Sequence, residues 1–283
     1  MSLFHYCKNE NLINIISSRE LWLSDLSLSN DSMEGRWVRH VFVEVCKEQQ
    51  ISDWDIEKLL NQLEITLNFF RANGFCLTQE GDALSQWRGY ADGGAGVSIG
   101  FNQAYLQALG EQSNEKPGLQ IKLNQVAYDK DEQAVLLKDA IDRVLKHFNL
   151  GALNLVTVLA SSEEEVANKR QFMSMGFAFV FFAPLLFRVK NPAFAEEKEW
   201  RLVTQTTQFI GKSDSQLAHT EFRATQDRII PFVRLPLLDL GIPPIDKIIL
   251  GPRNITPENV VEGALNRYGF DGVVVERSKA TYR

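Results

Sequence analysis

Two stretches of this sequence concentrate the side chains capable of chemistry. Leu84 to Phe101 reads LSQWRGYADGGAGVSIGF. Trp87 and Tyr90 offer ring faces on which a planar ligand would stack, and Arg88 is a fork-shaped donor for a phosphate or a carboxylate. Gly93, Gly94 and Gly96 permit close backbone approach or positive φ. The same residues also suit a hairpin whose aromatics cover the core and whose Arg88 pairs with a structural carboxylate. The pattern is not G-x-G-x-x-G opening a helix, so it is not a Rossmann turn. Glu196 to Val203 reads EEKEWRLV. Strand alternation sets Glu199, Arg201 and Val203 on one face and Trp200 and Leu202 on the other. Glu199 and Arg201 then either line a cleft or form an ion pair on the surface.

Two weaker groups join them. His5 and Tyr6 stand together in the first apolar run, where His5 is either a structural residue or a hydrogen-bonding group of a site. Ser29 to Glu34 reads SNDSME, in which Asn30, Asp31 and Glu34 suit a helix cap and its first turn. Asp31 and Glu34 would share a helix face, but two carboxylates without a third ligand are not a cation site. No metal is expected. P-loop, H-E-x-x-H and EF-hand patterns are absent.

The elements that must position these groups follow from periodicity. Leu3–Cys7 and Leu21–Leu23 read as short strands, with a helix over 9–16 that sets Leu12, Ile15 and Ile16 on one face. Helical spacing covers 33–49 and 53–73, with Asn73-Gly74 as a left-handed stop. Residues 75–79 and 96–101 read as strands around the glycine-rich connection, and 119–128 as a half-buried strand. Residues 131–148 and the stretch after Ser161 read as helices. Strands return at 199–205, 229–235, 245–250 and 272–276. Thr256-Pro257-Glu258 opens a final helix that Gly269 closes.

Phe172 to Phe187 is a run of 16 uncharged residues, six of them Phe. A bilayer span needs about 20, and Pro184 interrupts this one. It reads as a buried helix or helix–strand pair, with docking to a membrane surface or partner as the other reading. The whole chain, 1–283, is expected to be one α+β domain with a helical insertion at about 130–190.

The net charge of −6 and pI near 5.4 argue against broad nucleic-acid binding. Cys7, Cys46 and Cys76 are odd in number and scattered, which fits a reducing cytoplasm. The opening MSLFHYCKNE lacks a basic region followed by an apolar one, so no signal peptide is expected.

Together, FHYCKNENLINIISSRELWLSD, NDSME, LSQWRGYADGGAGVSIGF, NPAFAEEKEWRLV, IIPFVRLPL, IDKIILGP and RSKATYR resemble, in order, the bacterial domain-of-unknown-function family 2971. Ala280-Thr281-Tyr282-Arg283 lacks the proline that this family tends to carry there. The opening strand–helix–strand also looks like that of the ADP-ribosyltransferase fold, whose enzymes use a His, an aromatic and a late-strand Glu. That resemblance implies His5, then Tyr90 with Trp22 as competitor, then Glu199. The 194 positions from His5 to Glu199 exceed what a compact transferase domain needs, and the insertion would absorb them.

It further implies an ADP-ribosyltransferase-like mixed sheet with NAD as substrate. Glu199 would stabilise an oxocarbenium-like ribose and His5 would orient the sugar. Tyr6, Trp87, Arg88 and Arg201 would bind the nucleotide. A toxin or phage-defence setting and an unidentified acceptor macromolecule belong to the same analogy. The alternative is a nucleotide-binding or sensor domain on this fold without turnover.

Overall fold

The computed structural model describes residues 1–28, 35–113, 121–153, 163–207, 220–225 and 227–281. Asp31 and Glu34, and His219 among the histidines, lie outside these residues.

The chain opens as β1 (Ser2–Cys7), α1 (Asn9–Ser18) and β2 (Glu20–Asp25). Leu12, Ile15 and Ile16 form the buried stripe of α1, and Arg19 ends that helix in the left-handed conformation (φ 53°). Next come α2 (Val38–Glu48), α3 (Asp53–Phe69), β3 (Phe70–Thr78), α4 (Leu84–Tyr90), β4 (Val97–Asn102), α5 (Gln103–Ser113) and β5 (Ile121–Gln125). Helices α6 (Lys130–Asn149) and α7 (Glu163–Phe179) precede β6 (Glu199–Thr207), β7 (Thr220–Ala224), β8 (Ile229–Pro236), β9 (Ile245–Leu250), α8 (Glu258–Arg267) and β10 (Val274–Arg277).

The strands make one open mixed sheet, ordered β10-β9-β4-β1-β3-β2-β8-β7, with β6 on β3 and β5 on β6. Only β10 and β9 run parallel among these pairs. β3 is the fork. It pairs with β6 residue for residue from Phe70↔Thr207 to Thr78↔Glu199, which occupies one whole edge. Its other edge is divided. β1 meets it at Phe4↔Thr78 and β2 at Ser24↔Gly74 and Asp25↔Asn73. Between these contacts, Phe75 to Leu77 has no strand neighbour on that edge.

The two larger of three buried clusters cover the two faces. On one, α1, α5 and α8 pack Ile16, Leu106 and Leu265 against Leu3, Leu23, Leu77, Ile99 and Leu202. On the other, α2, α3, α6 and α7 share a core around Phe42, Leu59, Ile141 and Phe179, closed onto the sheet by Ala72. The stretch expected as an insertion thus shares its core with α2 and α3.

Three local expectations are corrected. Asn73-Gly74 does not stop a helix: α3 ends at Phe69 and Gly74 lies inside β3. The nine-residue pairing with β6 overrides local turn propensity. A Cβ on Gly74 would lie 2.8 Å from Leu26, so this glycine lets Leu26 cover the strand. The segment after β3 is not a hairpin connection, because β1 stands between β3 and β4 and Leu84–Tyr90 is a helix. The Phe-rich run is divided: Phe179, Phe182 and Phe187 are buried, whereas Phe172, Phe177 and Phe181 are exposed. Gly269, at φ +76°, closes α8 as expected. Among the described residues, no helix is long and apolar enough to cross a membrane.

Candidate ligand-binding cleft

The uncovered edge of β3 opens into a cavity of about 340 Å³. β1 contributes His5, Tyr6 and Cys7, α1 contributes Asn11 and Asn14, and β2 contributes Glu20, Trp22, Ser24 and Asp25. Cys76, Tyr90 and Arg223 complete the polar part of the wall. The volume lies at the lower end of the range for small-molecule sites, about 300–1,000 Å³.

His5 sits where the sheet parts. Its Nδ1 lies 2.8 Å from the Cys76 carbonyl, one of the backbone groups that no strand pairs. A carbonyl only accepts, so Nδ1 donates and Nε2 is left as an acceptor. The ring stacks on Phe75 with centroids 4.1 Å apart. Burial, reinforced by the charge of Arg223 and opposed by the bond to Cys76, lowers the imidazole pKa to about 4. His5 is therefore neutral at pH 7.

Glu199 stands elsewhere. The register aligns Phe4, Thr78 and Glu199 on one face of the sheet, so alternation turns His5 to the other. The two residues are two strands apart, about 10 Å at roughly 4.8 Å per strand. Glu199 does not line the cavity. It is 7% exposed and held bidentately by Arg201, through Nε at 2.8 Å and Nη2 at 2.7 Å. Lys190 adds a contact at 3.2 Å and reaches Glu197 at 2.6 Å. Arg201 also donates from Nη1 to the Phe187 carbonyl.

Burial disfavours the Glu199 charge, but Arg201 and Lys190 outweigh it and hold the carboxyl at about 2. The pair is thus a buried network and not the solvated surface pair that strand alternation alone allows. The Cys76 thiol also bonds Glu199, so the network touches a side chain that lines the cavity.

The remaining expected residues divide between architecture and cleft. Trp87 is 0% exposed, stands edge-on to Tyr6 and donates its indole N–H to Asp82. No ring face remains for a ligand to stack on. Tyr6 Oη bonds the Glu80 carbonyl and the Ala83 N–H, which anchors the start of α4, although its side chain also borders the cavity. Arg88 is exposed and does not border the cavity.

Tyr90 does border it and donates to Glu197 at 3.1 Å. Burial and then the Glu197 charge push its phenol up, so it stays a donor. The glycines after α4 serve the backbone. A Cβ on Gly96 would fall 2.2 Å from the Cys7 carbonyl oxygen, and Gly94, at φ +85°, accepts from the Arg253 N–H.

Trp22, the competitor for the aromatic position, lines the cavity half-buried with one side stacked on Phe232 at 4.5 Å. Arg223 and Asp82 carry no motif that marks them in the sequence. β7 itself gives little periodic signal, because its burial does not alternate cleanly. Asp82 explains why the C-terminal RSKA sequence lies against α4: it accepts from Trp87, the Ser278 hydroxyl and the Lys279 N–H. Among the described residues, no group of three His, Cys, Asp or Glu side chains is arranged to hold a metal ion.

No curated protein and no solved structure matches the chain in comparison. Residues 86–202 match the family described as Protein of unknown function (DUF2971). The matched stretch runs from α4 to β6 and carries Trp87, Arg88, Tyr90, Glu199 and Arg201, while His5, Trp22 and Arg223 lie outside it. In that stretch, which contains the buried network, the chain is similar to a family of unknown function.

Proposed function

We propose that the protein binds a nucleotide, NAD or a relative of it, in the cleft between β1 and β2. The observation that carries this reading is one cavity containing a neutral imidazole, the Trp22 and Tyr90 side chains and a guanidinium. Aromatic surface for a base, an acceptor for a ribose hydroxyl and a cation for a phosphate are what a nucleotide requires. His5 Nε2 accepts from the sugar, and Trp22 or Tyr90 meets the ring. Arg201 and Glu199 neutralise one another behind the cleft and are not its binding groups.

Binding without turnover is the reading favoured here. The carboxylate that would stabilise an oxocarbenium ion on ribose is neutralised by Arg201 and Lys190. A second reading, hydrolysis or transfer at the nicotinamide–ribose bond on an ADP-ribosyltransferase-like fold, has one observation in its favour. Glu199 is ionised and bonds Cys76, whose side chain lines the cavity. In that reaction NAD and water give nicotinamide, ADP-ribose and a proton.

The test is to measure NAD affinity and nicotinamide release in parallel for the wild type, Glu199→Gln and Trp22→Ala, with circular dichroism to confirm folding. We expect binding without release, unchanged within about threefold in Glu199→Gln. Trp22→Ala should weaken binding by about tenfold, consistent with the loss of a stacked ring at roughly 1–3 kcal/mol. Release by the wild type that Glu199→Gln abolishes would establish the second reading. Absence of nucleotide binding by the folded wild type would overturn both.

A further inference from the structure

The cleft holds one cation whose hydrogen-bonding edge is unfinished. Arg223 lies on β7 opposite Ile230 of β8. Its Nη2 donates to Ser24 Oγ at 3.1 Å, while its Nε is buried and has no acceptor among the described residues. No carboxylate among the described residues lies within ion-pair distance of it. The other cavity carboxylates have other partners: Arg234 holds Glu20 at 3.0 Å, and Asp25 accepts from the Ser27 N–H and hydroxyl.

Arg201 shows what completes such an edge. There, the same Nε and Nη2 atoms grip both oxygens of Glu199. A planar guanidinium edge suits any oxyanion presenting two oxygens at that spacing. A buried donor left unmet costs about 1–3 kcal/mol, which a ligand oxygen would recover. The Arg223 charge already reaches His5, so both groups act on the same space.

We infer that Arg223 is the oxyanion anchor of the cleft and that its ligand is a phosphorylated nucleoside, bound in preference to the uncharged nucleoside or free base. This inference rests on the nucleotide-binding reading above. A cavity of about 340 Å³ suits one phosphorylated half of a dinucleotide within the wall. The Arg223 side chain turns its Nε–Nη2 edge to the phosphate, displacing or sharing the Ser24 bond, and the ring meets Trp22.

Titration calorimetry with two matched pairs tests it: nicotinamide mononucleotide against nicotinamide riboside, and adenosine monophosphate against adenosine. We expect the wild type to prefer the phosphorylated member of at least one pair by about tenfold or more, the range of a charge-assisted hydrogen bond. Arg223→Met should abolish that preference while leaving nucleoside affinity within about threefold. Arg223→Lys, which keeps the charge and loses the fork, should fall between them.

Circular dichroism of both variants separates loss of the anchor from loss of the fold. A preference that survives in folded Arg223→Met would overturn the inference. So would equal binding of nucleoside and nucleotide by the wild type, although the cleft would then still be a binding site. If the wild type binds none of the four compounds, the nucleotide-binding reading fails and the inference fails with it.

Discussion

Arg201 and Arg223 present the same chemical edge to opposite surroundings. Arg201 is 1% exposed, and all three of its nitrogens donate, to Glu199 and to the Phe187 carbonyl. Arg223 borders a cavity, with a bond to Ser24 and a buried Nε that has no acceptor among the described residues. Residue type is the same, and the sequence around Arg201 is the more motif-like. The difference shows that a charged residue in a distinctive motif can be a structural clamp. The residue suited to a ligand is the one whose hydrogen bonds the fold leaves unmade.

The largest expected effect tests the clamp. Arg201→Met removes one partner of a buried pair and leaves Lys190 as the one cation on Glu199 among the described residues, which should cost about 3–5 kcal/mol in urea unfolding. A loss below about 1 kcal/mol would equate this network with a solvated ion pair and break the comparison.

Acid should resolve the two regions next. Both His5 and Glu199 have folded pKa values below their unfolded ones, about 4 against 6.5 and about 2 against 4.5. Each therefore contributes stability that is complete above its unfolded value and is lost as pH falls through its folded value. The cleft should weaken between pH 6.5 and 4, and the network between pH 4.5 and 2. Unfolding free energies of His5→Phe, compared with wild type from pH 7 to 3, should show the upper decline flattened and the lower one retained. Parallel curves would mean that another group titrates in the upper range.

The smallest effect belongs to the unfinished edge. Arg223→Met should change ligand-free stability by less than about 1 kcal/mol, since only the bond to Ser24 is lost. A larger loss would make Arg223 a second clamp and remove the contrast with Arg201.

The site was legible in part, and along a consistent line. His5 on its strand, the helix after it and the alternation of Glu199, Trp200, Arg201 and Leu202 all follow from short-range periodicity. The architectural use of Trp87 was not legible. Its enclosure depends on Tyr6, some 80 positions earlier, and on Asp82, which also binds Ser278 near the C-terminus. Trp22 was visible only as a competitor for an aromatic role, because its stacking on Phe232 requires β2 and β8 to be neighbours.

What the sequence by itself determined were the local periods: which face of α1 is apolar, and which side of β6 carries charge. Those depend on backbone geometry repeating every 3.6 or 2 residues, and they need no distant partner. The tertiary structure alone decided that β1 and β2 divide one edge of β3, and so that a cleft exists there. It also decided which arginine is neutralised and which is left facing that cleft. Strand pairing and charge pairing are set between residues more than 200 positions apart, as with Glu20, which pairs with Pro236 across the sheet and with Arg234 in charge, and no local pattern encodes a partner at that distance.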